Sequence, residues 1–186
     1  MEELRDYSGE FRPGLEMTDF SKAALVRLWR AAAKGQVGID GTWYTLVSER
    51  WGDATAKELS REVWKRVLEP DNRRARQAMN ISGDDIASMF KVAQIAAQGG
   101  GLLGIECQLK DRNHGIFTVK RCRWLEWFER TGDTEFMKWS CELLEPEVFR
   151  NMAHLTNPKI EVTPLKLPPR KSQDEIACQW EFKLEA

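Results

Sequence analysis

The segment from residue 175 to residue 184 constrains the fold more strongly than any other part of the chain. Its polar and apolar side chains alternate without interruption. This period of two is typical of a β-strand with one solvent-facing side and one buried side. The pattern predicts an inward-facing row of five side chains: Ile176, Cys178, Trp180, Phe182 and Leu184. Residues 164–172, just before this strand, have the prolines and polar residues of a hairpin turn.

Helical patterns fill the first half of the chain. Apolar residues recur at helical spacing in four stretches, which end near Gly35, at Gly52, near Pro70 and at the three glycines 99–101. We expect Ser21, or Thr18 or Asp19 before it, to cap the first helix and Ser82 to cap the fourth. Residues 1–17 are expected to be irregular, so residues 1–98 form an N-terminal helical region.

The second half alternates strands with short helices. Residues 103–110 and 116–122 predict a hairpin with a loop of about five residues, and residues 159–167 and 175–184 predict a closing hairpin. Two or three helices lie between the hairpins. The order predicts an α+β fold, in which N-terminal helices pack on a four-stranded antiparallel sheet with a ββ-αα(α)-ββ C-terminal half. Residues 102–186 would thus complete one domain with the helical region.

Charge and cysteine content exclude several classes of function. The 186 residues carry 28 basic and 29 acidic side chains, a net charge of −1, so binding to nucleic acid or to an anionic membrane is disfavoured. The chain has neither an apolar run near 18 residues nor an N-terminal apolar signal segment. We therefore expect a cytoplasmic protein whose four cysteines are thiols or metal ligands.

Two groups of residues have more than one interpretation. Gly35, Gly38 and Gly41 indicate close packing of a helix or a bend between two helices, with a bare backbone patch beside a ligand as the alternative. The arginines near residue 75 indicate a solvated helix face or an anion site: Arg73, Arg74 and Arg76.

The cysteines of the second half are the candidate reactive groups. Cys122, Cys141 and Cys178 would have to converge to form one site, in which case Cys107, mid-strand in the first hairpin, would be a core thiol. The three are core thiols, catalytic thiols or, with Glu129 or His154, ligands of a metal such as zinc. Cys-x-x-Cys pairs and a Gly-x-Ser-x-Gly elbow are absent from the sequence, and it has only two histidines.

Four segments of the second half carry a resemblance to a known family. They are IFTVKRC at 116–122, ERTG at 129–132, WSC at 139–141 and IACQWEF at 176–182. They resemble L-2-amino-thiazoline-4-carboxylic acid hydrolase-like proteins, which open a thiazoline ring to an N-carbamoyl cysteine. In that family an Asp closely follows the middle cysteine. Here Glu142 or Glu145 would have to substitute for it.

Two further similarities concern the whole chain. Residues 4–11, LRDYSGEF, look like a related group of uncharacterised bacterial and archaeal cytosolic proteins, which implies no activity. The element order is similar to vinyl-reductase-type ligand-binding domains and to small subunits of vesicle-tethering complexes. That similarity implies helices on a four-stranded sheet, apolar ligands and, in some members, zinc bound by cysteines.

These observations favour a small-molecule-binding domain. Eight tryptophans in the chain indicate either a well-filled aromatic core or an aromatic-lined pocket. In the second case an aromatic, sulfur-lined pocket would lie between the sheet and the N-terminal helices, with Trp124, Trp180 and Phe182 as ligand-binding residues for a small apolar or aromatic molecule. The alternatives are a thiol- or metal-dependent hydrolase of a C–N bond and a protein-interaction module without ligand. A homodimer is also predicted, because three indoles cannot all lie on one side of the helices: Trp43, Trp51 and Trp64.

Overall fold

A computed structural model describes residues 3–185, which begin with an irregular segment followed by three long helices. Residues 3–16 are irregular, as predicted. They contact the following residues through a bridge between Leu4 and Phe20, edge-on packing of Tyr7 against Phe20, and a hydrogen bond from Arg27 to the Arg5 carbonyl. Helix α1 spans Lys22–Trp51, α2 spans Asp53–Ala78 and α3 spans Ile86–Ile95. Ser21 caps α1, because its hydroxyl accepts a hydrogen bond from the Ala24 N–H at 3.3 Å.

Helix α1 is continuous where a bend was predicted. An added Cβ at Gly35, Gly38 or Gly41 would meet no atom within 4 Å, so these glycines serve neither close packing nor a bend. Both of those predictions were wrong. A glycine inside a helix costs only about 0.5–1 kcal/mol, and packing of α1 against α2 and against residues 97–102 outweighs that cost.

Helix α2 passes through Pro70, where the sequence predicted its end. Ion pairs along the helix lie on both sides of the proline, between Arg66 and Glu62 and between Arg73 and Glu69. Such pairs stabilise a helix locally. The solvated helix face expected for the three arginines is present at two of them, since Arg73 and Arg74 are exposed and paired with acidic side chains of α2. Arg76 is partly buried and donates to the Gly83 carbonyl and the Thr156 hydroxyl.

The C-terminal half has the predicted ββ-αα(α)-ββ order. Its elements are β1 Gly104–Asp111, β2 His114–Arg121, α4 Arg123–Thr131, α5 Thr134–Lys138, α6 Glu145–His154, β3 Ile160–Lys166 and β4 Cys178–Leu184. Two π-helical turns, Ala97–Leu102 and Trp139–Leu144, join α3 to β1 and α5 to α6. None of the helices within residues 3–185 combines the length and the apolar character needed to cross a bilayer.

The four strands form one antiparallel sheet in the order β1-β2-β4-β3. The β1–β2 loop has two residues, not about five, because Asp111 pairs with His114. Strand β2 also begins two residues before the apolar pattern that predicted it from residue 116. His114 and Gly115 belong to the strand because they pair with Lys183 and Phe182 of β4. The α+β fold class predicted from the sequence is confirmed.

The predicted inward row of β4 is correct at its centre. Trp180 and Phe182 are 1% and 0% exposed. Residue 176 lies before the strand, where Ala177 is buried instead. Helix α3 covers this face and approaches it so closely that a Cβ on Gly115 would lie 2.5 Å from the Phe90 ring.

The N-terminal cap of α3 fixes the helix to the first hairpin. Asp85, not the predicted Ser82, is the cap, and its carboxylate accepts from the Ser88 N–H at 2.8 Å and from Arg112 Nε at 2.7 Å. Arg112 belongs to the β1–β2 loop, and its carbonyl also accepts from the Ala87 N–H at 3.2 Å. Ser82 contributes its carbonyl, which accepts from the Ser88 hydroxyl.

Candidate functional site

A cavity of about 1310 Å³ lies between α1 and α2 on one side and the sheet and α4–α6 on the other. It extends from the core to the surface, because its walls include both buried residues such as Leu144 and exposed ones such as Glu49. Aromatic side chains from every one of these layers contribute to the wall, among them Tyr44, Trp64, Trp124, Phe136, Trp139 and Trp180.

Three of these aromatic rings form a continuous stack. The Phe136 ring lies 4.5 Å from that of Tyr44, at 20° between the planes, and 5.4 Å from that of Trp139, at 17°. The Tyr44 hydroxyl donates to Asp53 at 2.5 Å, and burial together with that carboxylate raises the pKa of Tyr44. Tyr44 and Trp139 are themselves inclined by 36° at 6.3 Å, so the three rings form a neutral aromatic cluster in the cavity wall.

The three residues predicted to bind ligand lie in two places. Trp124 and Trp180 line the cavity. Trp180 stacks on Phe149 at 4.4 Å, and its indole N–H donates to the Cys178 sulfur at 3.3 Å. Phe182 does not line the cavity; its ring packs edge-on against Phe90 at 5.7 Å, deep in the core. The prediction for Phe182 was wrong because α3 covers that part of β4, while the cavity begins two residues earlier.

Cys122, Cys141 and Cys178 all line this cavity, although they are far apart in the chain. Cys122 caps α4, Cys141 lies in the second π-helical turn, and Cys178 begins β4 beside Val119 of β2. Cys107 remains apart from them on β1, as predicted.

The thiols of the cavity are held in their neutral form. Burial raises the pKa of Cys122 to about 11 and that of Cys178 to about 12, and it raises the pKa of Cys141 still further. The carboxylate of Glu145 adds to the shift at each sulfur. A nucleophilic thiolate needs a lowered pKa, so the environment of the three sulfurs opposes that role.

The proposed metal ligands do not come together. Glu129 is held by a bidentate ion pair with Arg170, at 2.7 and 2.8 Å, and His154 is exposed at the end of α6. Neither lines the cavity. Within residues 3–185, no group of three or more His, Cys, Asp and Glu side chains has the arrangement of a metal site. The predicted use of Glu129 fails because Arg170, in the β3–β4 connection, neutralises that carboxylate.

Two carboxyl groups belong to the cavity wall. Asp40 was not predicted as a site residue, and Glu145 was named only as a substitute for the Asp of the hydrolase-like proteins. Asp40 of α1 and Glu145 of α6 both line the cavity, and burial raises the pKa of each. Burial, together with the charge of Asp40, brings the pKa of Glu145 to about 7. Among the side-chain contacts of the described residues, neither carboxylate has a hydrogen bond or an ion pair. The sequence signal for Asp40 was an acidic residue between Ile39 and Gly41, inside an apolar helix.

The second π-helical turn sets the positions of several of these groups. Residues 134–154 are helical throughout, with the turn Trp139–Leu144 between α5 and α6. Pro146 is the second residue after the turn and has no N–H to continue α-helical bonding. Single π-turns inside helices are frequent at functional sites. Here the turn brings Trp139, Cys141 and Glu145 to one cavity.

Comparisons with other proteins identify a family and no activity. Neither curated proteins nor solved structures gave a match to the chain. A family model described as a family of unknown function, DUF6125, matches residues 18–184. The match includes all six α-helices and four strands found in residues 3–185, and therefore every wall of the cavity. The chain thus belongs to the DUF6125 family.

Proposed function

We propose that the protein binds a small, largely apolar molecule in the cavity between α1–α2 and the sheet. The observation that carries this proposal is the cavity itself, about 1310 Å³ in volume and walled by aromatic and sulfur-bearing side chains. Ligand pockets commonly measure about 300–1,000 Å³ and are mostly apolar with a few polar groups. The cavity is somewhat larger than this range and has that composition.

Two features of the wall support ligand binding. Gly38 and Gly41 expose bare helical backbone along the cavity, where a side chain would have open space. Each lacks the helix-stabilising methyl group that alanine would supply without a clash. Larger side chains at these two positions would reduce the room for an occupant of the cavity.

The alternatives have less support. An interaction module without a ligand would have a packed core, and the cavity opposes that expectation. The hydrolase implied by the thiazoline-hydrolase resemblance would draw on the three thiols that line the cavity. Their raised pKa values oppose it, since an attacking thiolate would be scarce near neutral pH. If the cysteines are only core thiols, iodoacetamide should label all of them slowly in the folded protein, and the protein should contain no zinc.

A pair of matched variants tests the proposal. Gly41 lines the cavity and Gly35 does not, yet both are glycines of the same helix with open space around them. We would titrate wild type, Gly41→Leu and Gly35→Leu with the neutral fluorescent probe N-phenyl-1-naphthylamine. Wild type and Gly35→Leu should bind the probe with equal affinity. Gly41→Leu should bind it at least about tenfold more weakly, a loss of about 1.4 kcal/mol, because the leucine side chain enters the cavity.

Thermal unfolding of the same proteins provides the control for stability. Both leucine variants should be at least as stable as wild type, because leucine is a far better helix former than glycine. Equal probe affinity in all three proteins, or no saturable binding by wild type, would refute the proposed function. Native mass spectrometry of the purified protein would identify a co-purifying molecule.

We also propose that the protein acts in the cytoplasm, where its four free cysteines remain reduced. The homodimer stays a prediction, to be measured by light scattering. Of the three indoles on which it was based, Trp51 is 62% exposed, whereas Trp43 and Trp64 are partly buried.

A further inference from the structure

We infer that the ligand carries a protonated nitrogen, which the Glu145 carboxylate binds inside the cavity while the aromatic wall holds a planar apolar body. The inference rests on the proposed function and names the chemical class of the ligand. It is argued from the position of Glu145, from the charges that surround it and from the shape of the wall.

Glu145 is the first residue of α6, and it follows the π-helical turn on the cavity side. Its carboxylate lies in the wall with no hydrogen-bond donor or cation among its described contacts. The side chain is only partly exposed, so its ionised form is less well hydrated than a surface carboxylate, and no side-chain cation among the described residues compensates for this. A cation from solution would supply the missing partner.

The groups that face Glu145 provide no positive charge. They are Asp40 from α1, Cys122 from the start of α4, Cys141 from the π-helical turn and Cys178 from β4. The nearby cations of α2 are already paired. Lys57 binds Asp53 at 2.6 Å, and Arg61 binds Glu147 at 2.9 Å.

The wall as a whole is acidic. Among the described residues that line it, seven are Asp or Glu and three are Lys or Arg. The three basic residues are all exposed: Lys34, Arg123 and Arg130. A cleft lined by one sign of charge with low-dielectric walls concentrates the opposite charge. Three of the seven acidic residues are neutralised by ion pairs: Asp53, Asp71 and Glu126. Asp40 and Glu145 have no such partner among the described residues, and their charge favours a cation over an anion beside them.

The aromatic wall suits a planar cation. Tyr44, Phe136 and Trp139 form an aromatic cluster in the wall, in which Phe136 stacks on both of the other rings. Ring faces attract cations as well as flat apolar groups. The ammonium group of Lys57 already lies 5.7 Å from the Trp139 ring centre. A ligand with a flat apolar body and one charged nitrogen would contact the aromatic side chains with its body and the Glu145 carboxylate with its nitrogen.

The protonation of Glu145 couples this recognition to pH. Because burial and the charge of Asp40 together bring its pKa to about 7, the carboxyl group is largely protonated at pH 5.5 and ionised at pH 8.5. A cation binds the ionised form. Its affinity should therefore rise with pH across this interval, provided that the ligand nitrogen keeps its proton.

Two probes of nearly equal size and shape test the inference. 2-Naphthylmethylamine carries an ammonium group near neutral pH, and 2-naphthylmethanol carries a neutral hydroxyl at the same place. Calorimetric titration at pH 8 should give at least about tenfold tighter binding of the amine to wild-type protein. Glu145→Gln should bind both probes alike. Glu142→Gln, which changes an exposed residue of the same π-helical turn, should keep the wild-type preference.

The outcomes separate this inference from the proposed function. Equal binding of both probes to wild type, weakened in Gly41→Leu, would overturn the inference and leave the proposed function standing. An amine preference that survives in Glu145→Gln but disappears in Asp40→Asn would overturn the assignment to Glu145. If neither probe nor the neutral dye binds, the proposed function fails as well. Thermal unfolding verifies that Glu145→Gln is folded, as expected for the removal of a buried charge.

Discussion

At the scale of single residues, Trp180 connects the sheet to both the core and the cavity. It is 1% exposed, stacks on Phe149 and donates to Cys178. Truncation of a large buried aromatic residue removes its transfer energy and leaves a cavity. Trp180→Ala should therefore lower the free energy of unfolding by about 3–5 kcal/mol, as measured by urea denaturation.

Gln179 is the matched control for Trp180, since its side chain points to the opposite face of the sheet. It is partly buried and donates to the Thr118 hydroxyl at 2.9 Å. Gln179→Ala should lose no more than about 1 kcal/mol, the net contribution of such a hydrogen bond. Losses of equal size at the two positions would contradict the register of β4.

The alternation of polar and apolar residues was sufficient to predict the burial of Trp180 and Phe182, because it depends only on the strand period. It could not distinguish their surroundings. Whether an inward side chain of β4 meets α3 or an open cavity depends on where the helices cross the sheet. That crossing is a tertiary property, which local periodicity does not contain.

At the scale of elements, the cap of α3 connects a helix to a hairpin. Burial alone would raise the pKa of Asp85, but the hydrogen bonds from Ser88 and the ion pair with Arg112 outweigh it and lower the pKa to about 2. Asp85→Ala should cost about 1–2 kcal/mol, as for other N-caps. Asp84→Ala, at the exposed neighbouring position, should cost less than about 0.5 kcal/mol.

The effect of Asp85 should also depend on pH. Its pKa in the folded protein lies below its ordinary value of 3.8, so its ionised form stabilises the fold above that value. This contribution is lost as the pH falls from about 4 towards 2. Urea denaturation at pH 7 and pH 2.5 should show a smaller difference between wild type and Asp85→Ala at the lower pH. An unchanged difference would contradict the capping interaction.

The elements that were predicted well have strong local signals. The strands and α4 follow from periodicity, and the cap at Ser21 from its residue type. Helix α1 was predicted to break because its glycines disfavour a helix locally. The error has a physical cause: contacts of α1 with α2 and with residues 97–102 stabilise the helix from outside.

At the scale of the whole molecule, Glu145 should make stability depend on pH. Its pKa in the folded protein, about 7, exceeds its ordinary value of 4.5. The favourable contribution of its protonated form is complete below pH 4.5 and is lost as the pH rises through 7. Glu145→Gln should thus match wild type at pH 5. At pH 8.5 it should be more stable than wild type by on the order of 1–3 kcal/mol. The upper end of this range follows from about 1.36 kcal/mol for each unit by which folding raises the pKa.

Urea denaturation at both pH values measures this difference without any ligand. Glu142→Gln is the control, since it removes an exposed carboxyl group from the same π-helical turn. It should show no gain at either pH. If Glu145→Gln is more stable than wild type by the same amount at pH 5 and pH 8.5, the difference in stability arises from packing and not from ionisation.

The π-helical turn Trp139–Leu144 also has a consequence for the chain's tolerance of length changes. Each residue of an α-helix advances the side-chain direction by about 100°, and a π-turn contains one residue more than α-helical spacing requires. Relative to one continuous α-helix, α5 and α6 are therefore out of phase, because their side-chain directions are offset by the rotation of one residue. A deletion within the turn would bring them into phase and rotate Glu145 away from the cavity, while leaving nearly every helical hydrogen bond intact.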